Sequence, residues 1–332
     1  MSQSEGRFVR PFGLTDNPFG PIRLPLLPDG TRPALKKRVH LSNLYKYPLR
    51  LDKEPALEHL LVPESGNFSI YQQEFQDLLE VAGYGEKPVE TTEQFAFLIS
   101  GEQGTGKSTL VNMFVRWLQQ CDVEWNEIRY PPDEPGSGTG MRLYEYLAAK
   151  LKSTSNDPAE PSYCSVVIDN MTARDKDAAI RIYEEYSGSR VLVMFMITDD
   201  LRLLREAREN YRINLTRFRM KPLTPEQALA FVRHRINQFR VPHLRENLAG
   251  YPLFPFREED ILQEVSGNQD GESGGQGSIT LRSFATILQR ALVDGWSARR
   301  QDSALETLTS DELESRIIKP AQAYAKLQEV AA

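Results

Sequence analysis

The chain has 332 residues, of which 40% are hydrophobic, with 40 Lys and Arg against 46 Asp and Glu and a formal net charge of −6. That length suits one large domain or two modest ones, and that apolar share is adequate for a packed core. The negative balance argues against a protein that coats nucleic acid non-specifically, and no apolar run approaches the roughly 18 residues that a membrane span needs.

No signal peptide opens the sequence, so a cytoplasmic protein is expected. Cys121 and Cys164 each fall beside or in a predicted strand and read as buried thiols. The four His residues (His40, His59, His234 and His243) are scattered, without metal-ligand spacing.

Residues 1–52 are rich in Pro, Gly and basic side chains, and the first 50 hold nine Lys/Arg and three Asp/Glu. They read as a basic, irregular N-terminal arm. Residues 53–84 look mostly helical, with Phe75, Leu78, Leu79 and Val81 on one apolar side. A polar lead-in then reaches Phe95-Ala96-Phe97-Leu98-Ile99, a continuous apolar run of the kind found in strands buried on both faces.

Next comes Gly101-Glu102-Gln103-Gly104-Thr105-Gly106-Lys107-Ser108-Thr109, which fits the phosphate-binding pattern G-x-x-x-x-G-K-[ST]. Glycines let the backbone curl until successive N–H groups point at one centre. Lys107 is expected to reach the β- and γ-phosphates of ATP, and the Ser108 hydroxyl to ligate Mg²⁺. Leu110, Val111, Phe114, Val115 and Leu118 follow at helical spacing. The order strand, glycine loop, helix places a helix N-terminus, with its partial positive charge, at the phosphates.

Beyond the loop, strands are expected at 122–130, 165–169, 191–197 and 214–220, and helices at 141–151, 172–186 and 201–210. Short apolar strands separated by helices predict an α/β P-loop fold with a mostly parallel sheet. From residue 224 the strands stop. Thr224-Pro225-Glu226-Gln227 has the form of a capped helix start, and 224–240, 256–265, 279–294 and 310–328 all read as helices. This divides the chain into an arm (1–52), a P-loop α/β domain (53–222), a helical lid (223–295) and a C-terminal helical tail (296–332).

A P-loop needs a partner carboxylate to hold Mg²⁺ at the end of a neighbouring buried strand. Asp169, closing Ser165-Val166-Val167-Ile168, fits that need. Asn170 follows where many hydrolases of this class carry a Glu that takes a proton from the attacking water, and an amide cannot do that. Binding with slow turnover is therefore expected. Thr198, Asp199 and Asp200 follow the fourth strand. A polar side chain there is expected between the strands that carry the loop and Asp169, near the γ-phosphate, and another of the three to cap the next helix.

The sequence resembles AAA+ ATPases, in particular the branch of ExeA-like secretion ATPases, TnsC-type transposition regulators and origin-recognition ATPases. Phe12-Gly13-Leu14-Thr15-Asp16-Asn17-Pro18-Phe19-Gly20 is similar to the opening of the ExeA-like group. Residues 197–223 resemble its stretch from sensor 1 to the lid, and Leu223-Thr224-Pro225-Glu226-Gln227-Ala228 resembles its first lid helix. Leu253-Phe254-Pro255-Phe256 resembles the start of its next lid segment. The resemblance covers about residues 8–295.

It implies that Asp169 is the Walker B acid and that Asn170 stands at the catalytic Glu position. It implies Asp199 as sensor 1, with Thr198 as the rival, and Arg212 as an arginine finger reaching a neighbouring subunit, with Arg208 and Arg217 as rivals. Arg282 takes the sensor 2 place, although the 267–278 insertion departs from the compact turn usual before it. The function then expected is an ATP-dependent, homo-oligomerising switch that recruits a protein partner in DNA transactions, transposition or defence. The alternative is a nucleotide-locked structural subunit that hydrolyses little. The basic arm, with Lys36-Lys37-Arg38, Tyr45, Lys46 and Tyr47, reads either as a DNA contact or as a contact for acidic protein surfaces.

Overall fold

The computed structural model describes residues 12–15, 17–19, 68–81, 95–120, 124–131, 142–154, 163–186, 191–200, 202–203, 215–267, 279–299 and 315–320. These fall into two compact units. One holds the described residues between 68 and 221. The other holds those of 12–19, 222–299 and 315–320.

The first unit is a five-stranded sheet with every pairing parallel. Its elements in chain order are α1 (Phe68–Val81), β1 (Phe95–Ser100), α2 (Lys107–Gln119), β2 (Trp125–Tyr130), α3 (Leu143–Ser153), β3 (Tyr163–Ile168), α4 (Lys176–Tyr186), β4 (Val191–Thr198) and β5 (Leu215–Arg219). The spatial order is β2-β3-β4-β1-β5. The register sets Ser100 beside Thr198, Ile168 beside Met196 and Ile99 beside Phe218.

Position in the sheet follows composition. The inner strands β1 and β3 are buried at every residue, as their unbroken apolar runs require. The outer strands carry charge: Glu127 and Arg129 on β2 pair with each other, and Arg217 and Arg219 lie on β5. Alternation along β1 supplies both cores. Phe97 joins an aromatic cluster with Phe75 of α1, Phe114 of α2, Phe195 and Phe218. Ala96 and Leu98 pack into the opposite core with Leu147 and Leu151 of α3 and Ala179 and Ile182 of α4.

Some boundaries differ from the sequence reading. The helix expected from 172 begins at Lys176, because Thr172 donates through both its amide and its hydroxyl to the Asp175 carboxylate and forms a turn instead. Of the expected helix over 201–210, only 202–203 lie among the described residues, and both are helical. Cys164 is a buried free thiol on β3, whereas Cys121 lies outside the described residues.

The second unit is built from α5 (Pro225–Phe239), a 3₁₀ turn (Pro242–Leu244), α6 (Glu258–Gly267) and α7 (Leu281–Arg299). The capping box read from sequence is present. Thr224 Oγ1 accepts from Gln227 N, and Thr224 N donates to Gln227 Oε1. The core joins Phe231, Val232, Ile236, Phe254, Ile261, Phe284 and Leu288 with Phe12, Leu14 and Phe19 from the start of the chain.

Those N-terminal residues, assigned from sequence to an arm, are thus part of the helical core. Leu14 forms an antiparallel bridge with Arg240, Thr15 N donates to Phe239 O (2.8 Å), and Val241 N donates to Gly13 O (2.9 Å). Asn17 Nδ2 donates to Gln289 O, and the Phe19 ring lies against Phe231 and Phe256. Arg240 is buried, and its guanidinium donates to the carbonyls of Phe12 and Phe254. Burial pulls its pKa down to about 10. The rest of the basic arm lies outside the described residues.

Two expectations at the C-terminal end are corrected. The boundary at 295 falls inside α7, which runs to Arg299. A continuous helix over 310–328 is interrupted at 316–319, where Pro320 disfavours helical geometry at the residue before it. There Ile318 donates its amide to Pro255 O and enters the core, and Gly295 leaves the room for it.

Candidate functional site

An all-parallel sheet puts the carboxyl ends of its strands at one edge. The residues following β1, β3 and β4 therefore meet there. After β1 the chain turns sharply at Gly101 (φ 148°), where a Cβ would lie 2.6 Å from Met220 O. No other residue fits that approach without displacement. Met220 N donates to Ser100 O, so the end of β5 supports the floor of the turn. Within the loop, the Thr105 amide and hydroxyl both donate to Glu102 O. Gly106, at φ 99°, caps α2 without any side-chain acceptor. The first amides of that helix therefore have no side chain competing for them, which suits an anion.

Lys107 is the first residue of α2 and is 7% exposed. Its ammonium donates to Gly101 O (2.9 Å) and Glu102 O (2.8 Å), and lies 2.5 Å from Asp199 Oδ1. Next to it, Ser108 Oγ donates to the Asp169 carboxylate, at 3.1 Å to Oδ2 and 3.3 Å to Oδ1. A hydroxyl and a carboxylate converging in this way form the kind of hard-oxygen pair that Mg²⁺ takes. The uncapped helix start and the tight glycine cradle fit phosphate groups. Gln103 is exposed, and Gly104 and Thr109 are half-buried.

Asp169 lies one residue past β3, held by its amide to Tyr130 O. Asn170 is exposed and left-handed (φ 55°), the one described non-glycine residue with positive φ. Its amide donates back to Asp169 Oδ1. The strand therefore ends in a turn at this point, a conformation that Asn tolerates better than Glu.

The three polar residues after β4 have separate contacts. Thr198 is fully buried, donates to Met171 O and accepts from Asp200 N, joining the ends of β3 and β4. Asp200 accepts from both the amide and the guanidinium of Arg202, and the guanidinium holds its carboxyl below the usual range. Asp199, half exposed, turns to Lys107. The sequence identified all three residues and left their division of labour open. The Gly101–Met220 contact had no signal in the sequence, because it depends on β5 lying beside β1, and the Lys107–Asp199 ion pair itself was not among the expectations.

Arg212 and Arg208 lie outside the described residues, and Arg217 is half-buried on β5. Arg282 is exposed in the first turn of α7, in the helical unit. Among the described residues no group of three His, Cys, Asp or Glu could hold a metal on its own, and no helix is long and apolar enough to cross a membrane.

No family model matches the chain, and no curated protein does. Solved structures do. Aeropyrum pernix Orc1, in complex with DNA, is 15% identical with a TM-score of 0.50, over 84% of this chain and 69% of that one. A chain of the E. coli MS115-1 HORMA:CdnC:Trip13 complex is 14% identical with a TM-score of 0.47, over 78% and 89%. A Thermotoga maritima RuvB variant is 12% identical with a TM-score of 0.43, over 78% and 72%. Orc1 is an AAA+ ATPase, and the likeness to it shows a shared fold, which in this chain is built on the parallel β2-β3-β4-β1-β5 sheet.

Proposed function

We propose that the chain is an ATP-binding switch of the AAA+ type, which assembles with further copies of itself in the triphosphate state and then engages a protein partner. The observation that carries the reading is the convergence of Lys107, Ser108 and Asp169 at one edge of the sheet. In this reading the amides of the 101–109 loop receive the phosphates and Lys107 neutralises them. Ser108 and Asp169 would hold Mg²⁺, which when bound offsets the phosphate charge. Asp199 reports on the terminal phosphate through its contact with Lys107. Arg212 is assigned as the finger offered to a neighbouring copy and Arg282 as the lid contact, on the resemblance alone.

Hydrolysis is slow in this reading, because Asn170 provides no basic carboxylate for water. Its left-handed backbone also favours the second reading, a nucleotide-locked subunit that holds a complex together. The basic arm would supply contact with DNA or with an acidic partner, and a steep loss of DNA affinity with added salt would identify phosphate contacts.

The test is a nucleotide titration. Wild-type protein is expected to bind MgATP, and Lys107→Ala to bind it roughly 10- to 100-fold more weakly, the effect of losing a charge-assisted contact. Equal affinity in the two proteins would refute the reading. Particle size in ADP, ATP and a non-hydrolysable analogue then separates the switch, which grows only with triphosphate, from the locked subunit, which does not change.

A further inference from the structure

An ammonium group has three N–H donors. For Lys107 all three have acceptors within the chain: Gly101 O, Glu102 O and Asp199 Oδ1. Two are neutral carbonyls of the loop itself. The third is the carboxylate one residue past the end of the adjoining strand β4, and it is the one partner of the three that is a side chain. We propose that Asp199 determines how the site chooses between nucleoside di- and triphosphates, by competing with the terminal phosphate for Lys107. The proposal rests on the phosphate-loop reading above and deepens it.

The frame around Asp199 fixes its position. Ser100 and Thr198 are register partners, so Gly101 and Asp199 are the first residues past the ends of two adjacent strands. Thr198 is locked by its hydrogen bond to Met171 O. Asp200 is engaged with Arg202 and does not substitute for its neighbour. The two partners differ in exposure. Lys107 is 7% exposed and anchored to the loop, whereas Asp199 is 48% exposed and can turn out to water. The anion is thus the partner that leaves, because its side of the pair is the one open to water.

The phosphates do not bear this competition equally. The inner phosphates meet the loop amides. Lys107 serves the β- and the γ-phosphate alike, but in this reading only the terminal phosphate of a triphosphate extends toward the ends of β3 and β4 and meets the Asp199 charge as well. The penalty therefore falls mainly on the triphosphate.

The experiment uses the full chain, titrated with MgATP and with MgADP in four forms: wild type, Asp199→Asn, Asp199→Ala and Asp200→Asn. The last makes the same charge change one residue away; its amide oxygen can still accept from the Arg202 amide and Nε, and only the contact from Nη2 is lost. Both Asp199 variants are expected to bind ATP about three- to tenfold tighter than wild type, with ADP affinity changed less than about twofold. Asp200→Asn is expected to change neither. Unchanged or weaker ATP binding in both Asp199 variants would overturn the proposal, weaker binding being the result if Asp199 instead helped to hold the magnesium. An equal gain in Asp200→Asn would also overturn it, as an effect of overall charge. Failure of every form, wild type included, to bind nucleotide would overturn the phosphate-loop reading as well.

Discussion

The two units bury polar groups for different ends. In the sheet unit the buried cation, Lys107, sits at the carboxyl edge of the strands beside a carboxylate that faces water. Its partners come from a loop six residues long and from the next strand, so the arrangement depends on strand order. In the helical unit one of the buried cations, Arg240, has carbonyls as its partners, one of them 228 residues away in sequence. It ties an N-terminal segment to a helix end and leaves no charge facing outward. Burial of a charged side chain therefore does not by itself mark a ligand site. What separates the two is whether its partners are fixed backbone groups or a side chain that can move aside.

The contrast can be broken most strongly at Phe12. This ring is fully buried in the helical unit, and Phe12→Ala is expected to cost about 3–5 kcal/mol. Hydrogen exchange should then rise across α5 and α7 and stay low in β1 and β3. Equal loss of protection in both units would show that the N-terminal segment is not specific to the helical core.

Gly101→Ala tests the other side. Its φ of 148° and the Met220 carbonyl 2.6 Å from a new Cβ predict a cost of roughly 1–3 kcal/mol in strain. Nucleotide affinity should fall, with protection in α5 and α7 unchanged. Retained affinity would mean that the loop adjusts freely and that the Met220 support is dispensable. The smallest effect is expected for Thr224→Ala, which removes half of the capping box and should lower stability by about 1 kcal/mol in thermal melts, without altering nucleotide affinity. A loss well above that would mean that Thr224 has a second role in the helical unit.

How much was legible in the sequence follows the same division. The P-loop, its strand and helix, and Asp169 could be read directly, because each is a local pattern with a fixed mechanical purpose. The α5 cap could be read for the same reason: Thr224, Pro225 and Gln227 are adjacent along the chain. The strand order could be read only in part: β4 was expected between the strands of the loop and Asp169, as it is, but the apolar runs do not say where β2 and β5 fall. With the place of β5 was hidden the contact of Gly101 with Met220, and the pairing of Lys107 with Asp199 was not expected either. The packing of Phe12, Leu14 and Phe19 was hidden too. Their neighbourhood is basic and rich in proline, and the partners that bury them lie more than 200 residues downstream. The interruption at 316–319 is the exception to this division, since Pro320, which disfavours helix at the residue before it, stands in the sequence.

The antiparallel bridge between Leu14 and Arg240 makes the helical unit a discontinuous fold, with the sheet unit's sequence inserted between its two parts. On the ribosome, residues 12–19 emerge before the sheet unit but gain their neighbours only after the sheet unit and α5 have been synthesised. A fragment starting at residue 222 would present an open slot where two phenyl rings and a leucine belong. Supplying residues 12–19 as a separate peptide, or fusing them after residue 320 through a linker, is the physically sensible way to produce that half alone.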